Sequence, residues 1–425
     1  MKTLRATKFL AAIAATALTV TAANACSPSL SKPAAHLANS AGQTGAVLPQ
    51  VRIVDHTYQV PHPLAPAAPG TLIAATDHGP DSRIAGARRW TVLYHSVNRH
   101  GTDIPVSGAV LVPRGTPPPG GWPVVSWGHG TTGVAHSCAP SQAPDFGYDA
   151  YAQQLRTLVR AGYAVTASDY PGLGTPGMHT YLVGADEGNA VVDIVTAAHH
   201  LLPASALSPI WFAVGHSQGG QAALFAARAA HRAPGLRLGG TVAIAPASHL
   251  EAMLPGVIAS HQSSELSFAL YSLAGLTATD PSVDLPSLLG PSAAGTAAHV
   301  LNECQQVGYT LLSHVTTDQV LPLSSDQLSP LSAEMAAYGD PDRLPITGPV
   351  LVIQGEQDED VPPQWTAEVV GHLRTLGSPT VEERIYPGAG HEKVLSTSAC
   401  DLLAFLAAHG GRTTARCAPH RAETG

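Results

Sequence analysis

Short, continuous apolar runs recur along the chain, with longer segments of helical periodicity between them. The strand-like runs are Val106–Val112, Val124–Trp127, Ala164–Asp169, Trp211–Val214, Gly240–Ile244, Val350–Ile353 and Glu382–Tyr386. Apolar residues at helical spacing predict helices over Tyr148–Ala161, Asn189–Leu202, Gln218–Ala230, Trp365–Leu376 and Ala399–Ala408. Runs that are apolar on both faces suit interior parallel strands. Their alternation with helices predicts an α/β protein, a mostly parallel sheet with helices on both faces. One stretch breaks the rhythm. Residues 248–344 mix Leu, Ala and Met runs with Ser, Pro and Asp punctuation, and read as a mainly helical cap. They interrupt a sheet domain made of residues 49–247 and 345–420. An insertion after the strand ending at Ile244 leaves from the edge where the chemistry of such folds is placed.

The N-terminus follows a different pattern. Lys2, Arg5 and Lys8 precede an alanine-rich apolar run from Phe9 to Ala23. A membrane span needs about 20 apolar residues, so the shorter run reads as a signal peptide over residues 1–25. Ala23-Asn24-Ala25 suits cleavage before Cys26, and secretion follows. Lipidation of Cys26, giving an anchor at the cell surface, is the alternative. Residues 26–48 are rich in Ser, Ala and Pro and read as a flexible leader. With a net charge of −8, 12% charged residues and no basic stripe, the chain is not expected to bind nucleic acid. Low charge with 36 prolines and 41 glycines fits a loop-rich exported enzyme.

Candidate chemistry begins at Gly215-His216-Ser217-Gln218-Gly219, between a strand and a helix. Strand, Gly-x-Ser-x-Gly and helix in that order describe a nucleophile elbow, with the serine on a tight, strained turn. The competing reading, a glycine-rich turn with an incidental serine, weakens once partners appear downstream. The apolar run Pro349–Ile353 leads into Gly355-Glu356-Gln357-Asp358-Glu359-Asp360-Val361-Pro362, where four acids compete. The spacing Gly-x-x-Asp-x-x-Val-Pro, common after this strand in α/β-hydrolases, selects Asp358. Of 21 histidines, His391 lies on a glycine-rich loop after the last strand. It is the candidate general base, with Asp358 fixing its tautomer. His216 reads as a packing residue. Gly128-His129-Gly130-Thr131-Thr132-Gly133 follows another strand. Its amides, with that of Gln218, could hold a tetrahedral oxyanion. Thr131 and Thr132 are both candidate donors, and spacing does not separate them.

At these residues the chain resembles the secretory lipase family of α/β-hydrolases, with fungal and actinobacterial members. The resemblance runs from Tyr94-His-Ser96 through Ser137-Cys138-Ala139-Pro140-Ser141 and Ser168-Asp169-Tyr170-Pro171-Gly172. It continues through Gly184-Ala-Asp-Glu187-Gly188 with Asp193, and the elbow. It implies an α/β-hydrolase fold, a triad of Ser217, Asp358 and His391, a helical lid and no cofactor. Without Cys-x-x-Cys or His-Glu-x-x-His, a metal site is unsupported as well. Of the five cysteines, setting Cys26 aside leaves four, which allow three pairings. Cys400 with Cys417 is the local choice. Cys138 with Cys304 would then tie the oxyanion loop to the cap, as in the fungal members.

The expected function is a secreted serine ester hydrolase, a lipase or carboxylesterase working through an acyl-enzyme. Its partner is a small-molecule or lipid ester, with a lipid interface as a second contact. A serine peptidase or acyltransferase on the same scaffold is one alternative. From a different class, a non-catalytic surface binding protein is another.

Overall fold

Each predicted apolar run falls on a strand to within one residue. The computed structural model describes residues 55–413, apart from 261, 262 and 379. The expected signal peptide and leader, with Cys26 and Cys417, lie outside the described residues. The strands are β1 (Leu72–Pro80), β2 (Ala87–Val97), β3 (Asp103–Pro113), β4 (Trp122–Gly128), β5 (Ala164–Ser168), β6 (Leu207–His216), β7 (Arg237–Ile244), β8 (Pro349–Gly355) and β9 (Thr380–Tyr386). They form one sheet in the order β1-β2-β3-β5-β4-β6-β7-β8-β9. From β5 to β9 all neighbours are parallel. The chain enters through the antiparallel ribbon β1, β2 and β3. Two of these strands, β1 and β2, were not predicted. β1 is only half-buried, so it lacks the continuous apolar run that marks an interior strand.

Helices cover both faces. On one side lie α1 (Asp149–Arg160), α12 (Lys393–Thr397) and α13 (Ala399–Ala408), packed on Trp127, Phe212 and Ile353. On the other lie α2 (Gly184–Leu201), α3 (Gln218–Arg228) and α11 (Pro363–Thr375). Between β7 and β8 the described residues are helical, as the sequence predicts. They comprise α4 (Leu250–Ser260), α5 (Ser263–Thr279), α6 (Leu285–Leu288), α7 (Ala294–Leu301), α8 (Gln305–Leu312), α9 (Thr317–Val320) and α10 (Ser325–Gly339). This insertion buries its own apolar cluster around Leu254, Leu270, Leu273 and Val300. It also packs on Val134, Tyr181 and Leu182 from the sheet domain.

Strand β4 sits between β5 and β6, so the chain steps outward from it in both directions. That is a topological switch point, where open parallel sheets leave a crevice at the carboxyl ends of their strands. The loop after β4 and the elbow after β6 both open there.

Candidate active site

The elbow is built by backbone crowding. A Cβ on Gly215 would lie 2.0 Å from the Gly219 carbonyl oxygen, and one on Gly219 would lie 2.0 Å from that of Gly128. Only glycine fits either place. Between them Ser217 is held at φ 57°, ψ −122°, a region that a side chain with Cβ rarely adopts. The Ser217 carbonyl accepts from Gly220 N (2.9 Å) and Gln221 N (3.1 Å), starting α3. The side chain faces a cavity of about 250 Å³ walled by Leu182, Leu250, Met253, Val257, Phe268 and Trp365. Glu265 and Asp360 line it too.

Asp358 and His391 meet at this edge. His391 Nδ1 lies 2.8 Å from Asp358 Oδ2. Asp358 is 5% exposed, and its other oxygen accepts from Asp360 N (3.0 Å) and Val361 N (2.8 Å). Gln354 Nε2 donates to Asp358 Oδ2 at 3.0 Å, while its carbonyl oxygen accepts from Thr366 Oγ1 at 2.7 Å. The loops after β8 and β9 are joined by Gln357 N donating to Ala389 O at 2.9 Å. Burial opposes charging His391, but the hydrogen bond and charge of Asp358, with Asp360 and Glu392, outweigh it. The imidazole is therefore held above its ordinary value of 6.5. Among the described residues no hydrogen bond joins Ser217 Oγ to His391. Such contacts often tighten only when substrate binds.

His216 packs, as expected, but it also links the parts. Its ring lies 4.4 Å from that of His391, and its Nε2 is 3.0 Å from the His391 carbonyl oxygen. Nδ1 is 3.1 Å from the Tyr151 hydroxyl, which accepts from Gly130 N at 3.1 Å. Burial, then the nearby His391, holds His216 well below 6.5, so the neutral ring donates from Nε2 and accepts at Nδ1. Tyr151 and Gln354 were missed by sequence reading. Their roles depend on contacts that no local pattern encodes.

The loop after β4 runs beside the serine. A Cβ on Gly130 would lie 3.2 Å from Ser217 Cβ. Thr131 and Thr132 are buried, with Thr131 Oγ1 2.6 Å from the Tyr181 hydroxyl and Thr132 Oγ1 donating to Cys138 O at 2.9 Å. The amides of Thr131, Thr132 and Gln218 meet no acceptor among the described residues. A disulfide joins Cys138 to Cys304, and Gln305 N donates to Thr132 O at 3.0 Å. Cys400 is disulfide-bonded, and its expected partner Cys417 is outside the described residues. Asp358, Asp360 and His391 are the one described cluster with metal-ligand spacing. In it Asp358 already holds His391 Nδ1.

The family model described as secretory lipase matches residues 138–307. The chain is an α/β-hydrolase related to the secretory lipases. Its class of activity is that of the lipases and esterases, ester hydrolysis. A second model, the prolyl oligopeptidase family, matches residues 310–411 of this hydrolase. No curated protein matches its sequence. Among solved structures it is similar to the rice cell wall degrading esterase LipA from Xanthomonas oryzae. There the TM-score is 0.65 at 20% identity, covering 78% of this chain and 95% of that one. It is also similar to Candida antarctica lipase A, with a TM-score of 0.69 at 19% identity, covering 86% and 89%. At such identities the likeness speaks for the fold of the hydrolase alone.

Proposed function

We propose that this hydrolase is a serine esterase in which Ser217, His391 and Asp358 form the triad. The observation that carries the reading is the strained Ser217 at the mouth of an apolar cavity, on the same sheet edge as the His391–Asp358 pair. Ser217 Oγ attacks the ester carbonyl carbon as His391 Nε2 takes its proton. Asp358 holds Nδ1–H and stabilises the imidazolium. The carbonyl oxygen becomes an oxyanion, received by the Gln218 amide and that of Thr131 or Thr132. Collapse expels the alcohol, which takes the proton from His391. Water, deprotonated by the same ring, then frees the acid and restores Ser217.

The acyl group occupies the cavity walled by Leu250, Met253 and Phe268. Residues 248–344 serve as the cap, since α4 and α5 supply that wall. The family match and the Cys138–Cys304 bridge fit an extracellular setting. Secretion after cleavage before Cys26, or anchoring through it, is the finer reading.

The test is fluorophosphonate labelling of wild type and Ser217→Ala, followed by turnover of 4-nitrophenyl esters of increasing acyl length. Loss of label and turnover in Ser217→Ala, with retained fold, supports the assignment. An unlabelled wild type ends it. Peptidase action is a second reading, favoured by the match over residues 310–411, which include Asp358 and His391. Faster turnover of an anilide than of the matching ester would select it.

A further inference from the structure

The segment Gly184-Ala-Asp-Glu187-Gly188 has no part in the chemistry above, yet it packs directly beneath it. Gly184 and Gly188 lie one turn apart on α2 and face α3. A Cβ on Gly184 would come 2.2 Å from the Phe225 ring, and one on Gly188 would come 2.6 Å from Phe225 Cβ. The two glycines make room for the Phe225 side chain of α3, so that α2 packs closely against that helix. Glu187 thereby reaches the first residue of α3, Gln218.

We propose that Glu187 is the positioning residue of the oxyanion hole, acting through the Gln218 side chain. This rests on the serine esterase reading. Gln218 Nε2 donates to Glu187 Oε1 at 2.7 Å and approaches His179 Nε2 at 3.0 Å. His179 Nδ1 lies 2.7 Å from the Pro171 carbonyl oxygen and must donate to it, so His179 Nε2 is the acceptor. Both hydrogens of the Gln218 carboxamide are thus held from outside its helix. Glu187 Oε1 is itself fixed by Leu182 N at 2.9 Å. Gln218 stands where α3 begins, and its backbone N–H is free. Clamping its side chain fixes where that N–H points, which is the preorganisation an oxyanion donor needs.

The charge state suits the role. Glu187 is fully buried, and its Oε2 has no hydrogen-bond partner. The titratable groups facing it are Asp186 on its own helix and Tyr170, His179 and Tyr181 from the segment before α2, while α3 offers Gln218. None is a cation, since burial pushes His179 down to about 3. Burial pushes the Glu187 carboxyl up to about 8, against the hydrogen bonds of Gln218 and Leu182. At neutral pH the carboxyl keeps its proton. A carboxylate there would oppose the charge developing on the oxyanion, whereas a neutral acid accepts from Gln218 without that cost.

The experiment measures kcat and KM for a 4-nitrophenyl ester across neutral and alkaline pH in wild type, Glu187→Gln, Glu187→Ala and Ser217→Ala. Glu187→Ala is expected to lower kcat by about tenfold to a hundredfold with KM changed less than about twofold, the signature of a lost transition-state interaction. Glu187→Gln keeps the acceptor and should stay within about threefold of wild type at neutral pH. Wild-type kcat should fall as pH passes about 8, and the Gln variant should lack that fall. Full kcat in Glu187→Ala, or the same alkaline fall in Glu187→Gln, overturns the proposal. So does a Gln variant as impaired as the Ala variant. If Glu187→Ala does not fold, the Gln variant and its alkaline limb decide. A wild type without esterase activity, or an active Ser217→Ala, removes the serine reading and this proposal with it. An active wild type indifferent to Glu187 removes only the latter.

Discussion

The loop after β8 and the loop after β4 open at the same sheet edge as Ser217 but are held by different means. Around Asp358 the bonds are local: Asp360 N, Val361 N and Gln354 Nε2 reach its oxygens, and Thr366 steadies Gln354. The β4 loop is fixed by distant groups. Gly130 N donates to Tyr151 on α1, Gln305 N of the insertion donates to Thr132 O, and Cys304 closes the bridge to Cys138. The Tyr148 hydroxyl donates to Gln305 Oε1 at 2.6 Å, with the Thr131 carbonyl 3.0 Å away. The proposed acid is therefore positioned by its own strand and loop. The proposed donors on the β4 loop, Thr131 and Thr132, are held in part by the insertion, so a change in the cap should act on transition-state stabilisation before it acts on the base.

The largest effect expected is on the local side. Asp358→Asn should lower kcat/KM by about 10⁴-fold, since loss of the carboxylate leaves His391 in the wrong tautomer. Glu356→Gln and Glu359→Gln should be nearly silent. Steady-state kinetics of the set checks the ranking, and a severe Glu359→Gln would mean that the loop is misread.

Next comes the bridge. Cys138 and Cys304 are 166 residues apart, and the chain-entropy estimate for closing such a loop is about 5 kcal/mol. Cys138→Ser with Cys304→Ser should lower the melting temperature and reduce kcat by about tenfold. If thermal stability drops while kcat is untouched, the oxyanion loop does not depend on the insertion and the contrast drawn here fails. A smaller version of the same test is Tyr148→Phe. It removes the bond to Gln305 Oε1 and should cost about 1 kcal/mol of stability and a few-fold in kcat. Titration of the melting curve with and without reductant separates the two contributions.

The same contrast explains what was legible in the chain. Asp358 and His391, the proposed acid and base, could be singled out as candidates because their loops carry their own pattern, Gly355-x-x-Asp358-x-x-Val361-Pro362 and Gly388-Ala389-Gly390-His391. The interior strands were legible because both of their faces are apolar. Thr131 and Thr132 could not be separated, because their loop is held by Tyr148 and, far along the chain, by Cys304 and Gln305. β1 escaped because a half-buried edge strand need not be continuously apolar. The Gly184–Gly188 segment stood out as a resemblance, but its contact with Gln218 appears only when α2 and α3 pack.

The smallest effect expected concerns Asp360, which faces His391 without taking the Asp358 position. Burial works against the imidazolium, but Asp358, Asp360 and Glu392 together hold its value above 6.5. As the proposed base, His391 must be neutral to accept the Ser217 proton. Activity should therefore rise with pH along an acidic limb that lies above the ordinary histidine value. Asp360→Asn removes one of the three charges that raise that value, so its acidic limb should move to lower pH. On the plateau, kcat should stay within about twofold of wild type, because the bond from Asp358 to Nδ1 remains. Profiles of kcat/KM against pH for the two proteins decide it. A limb that does not move removes Asp360 from the field at His391. A plateau lowered as far as in Asp358→Asn would transfer the acid's role to Asp360, and the β8 loop would lose the local order that sets it apart from the β4 loop.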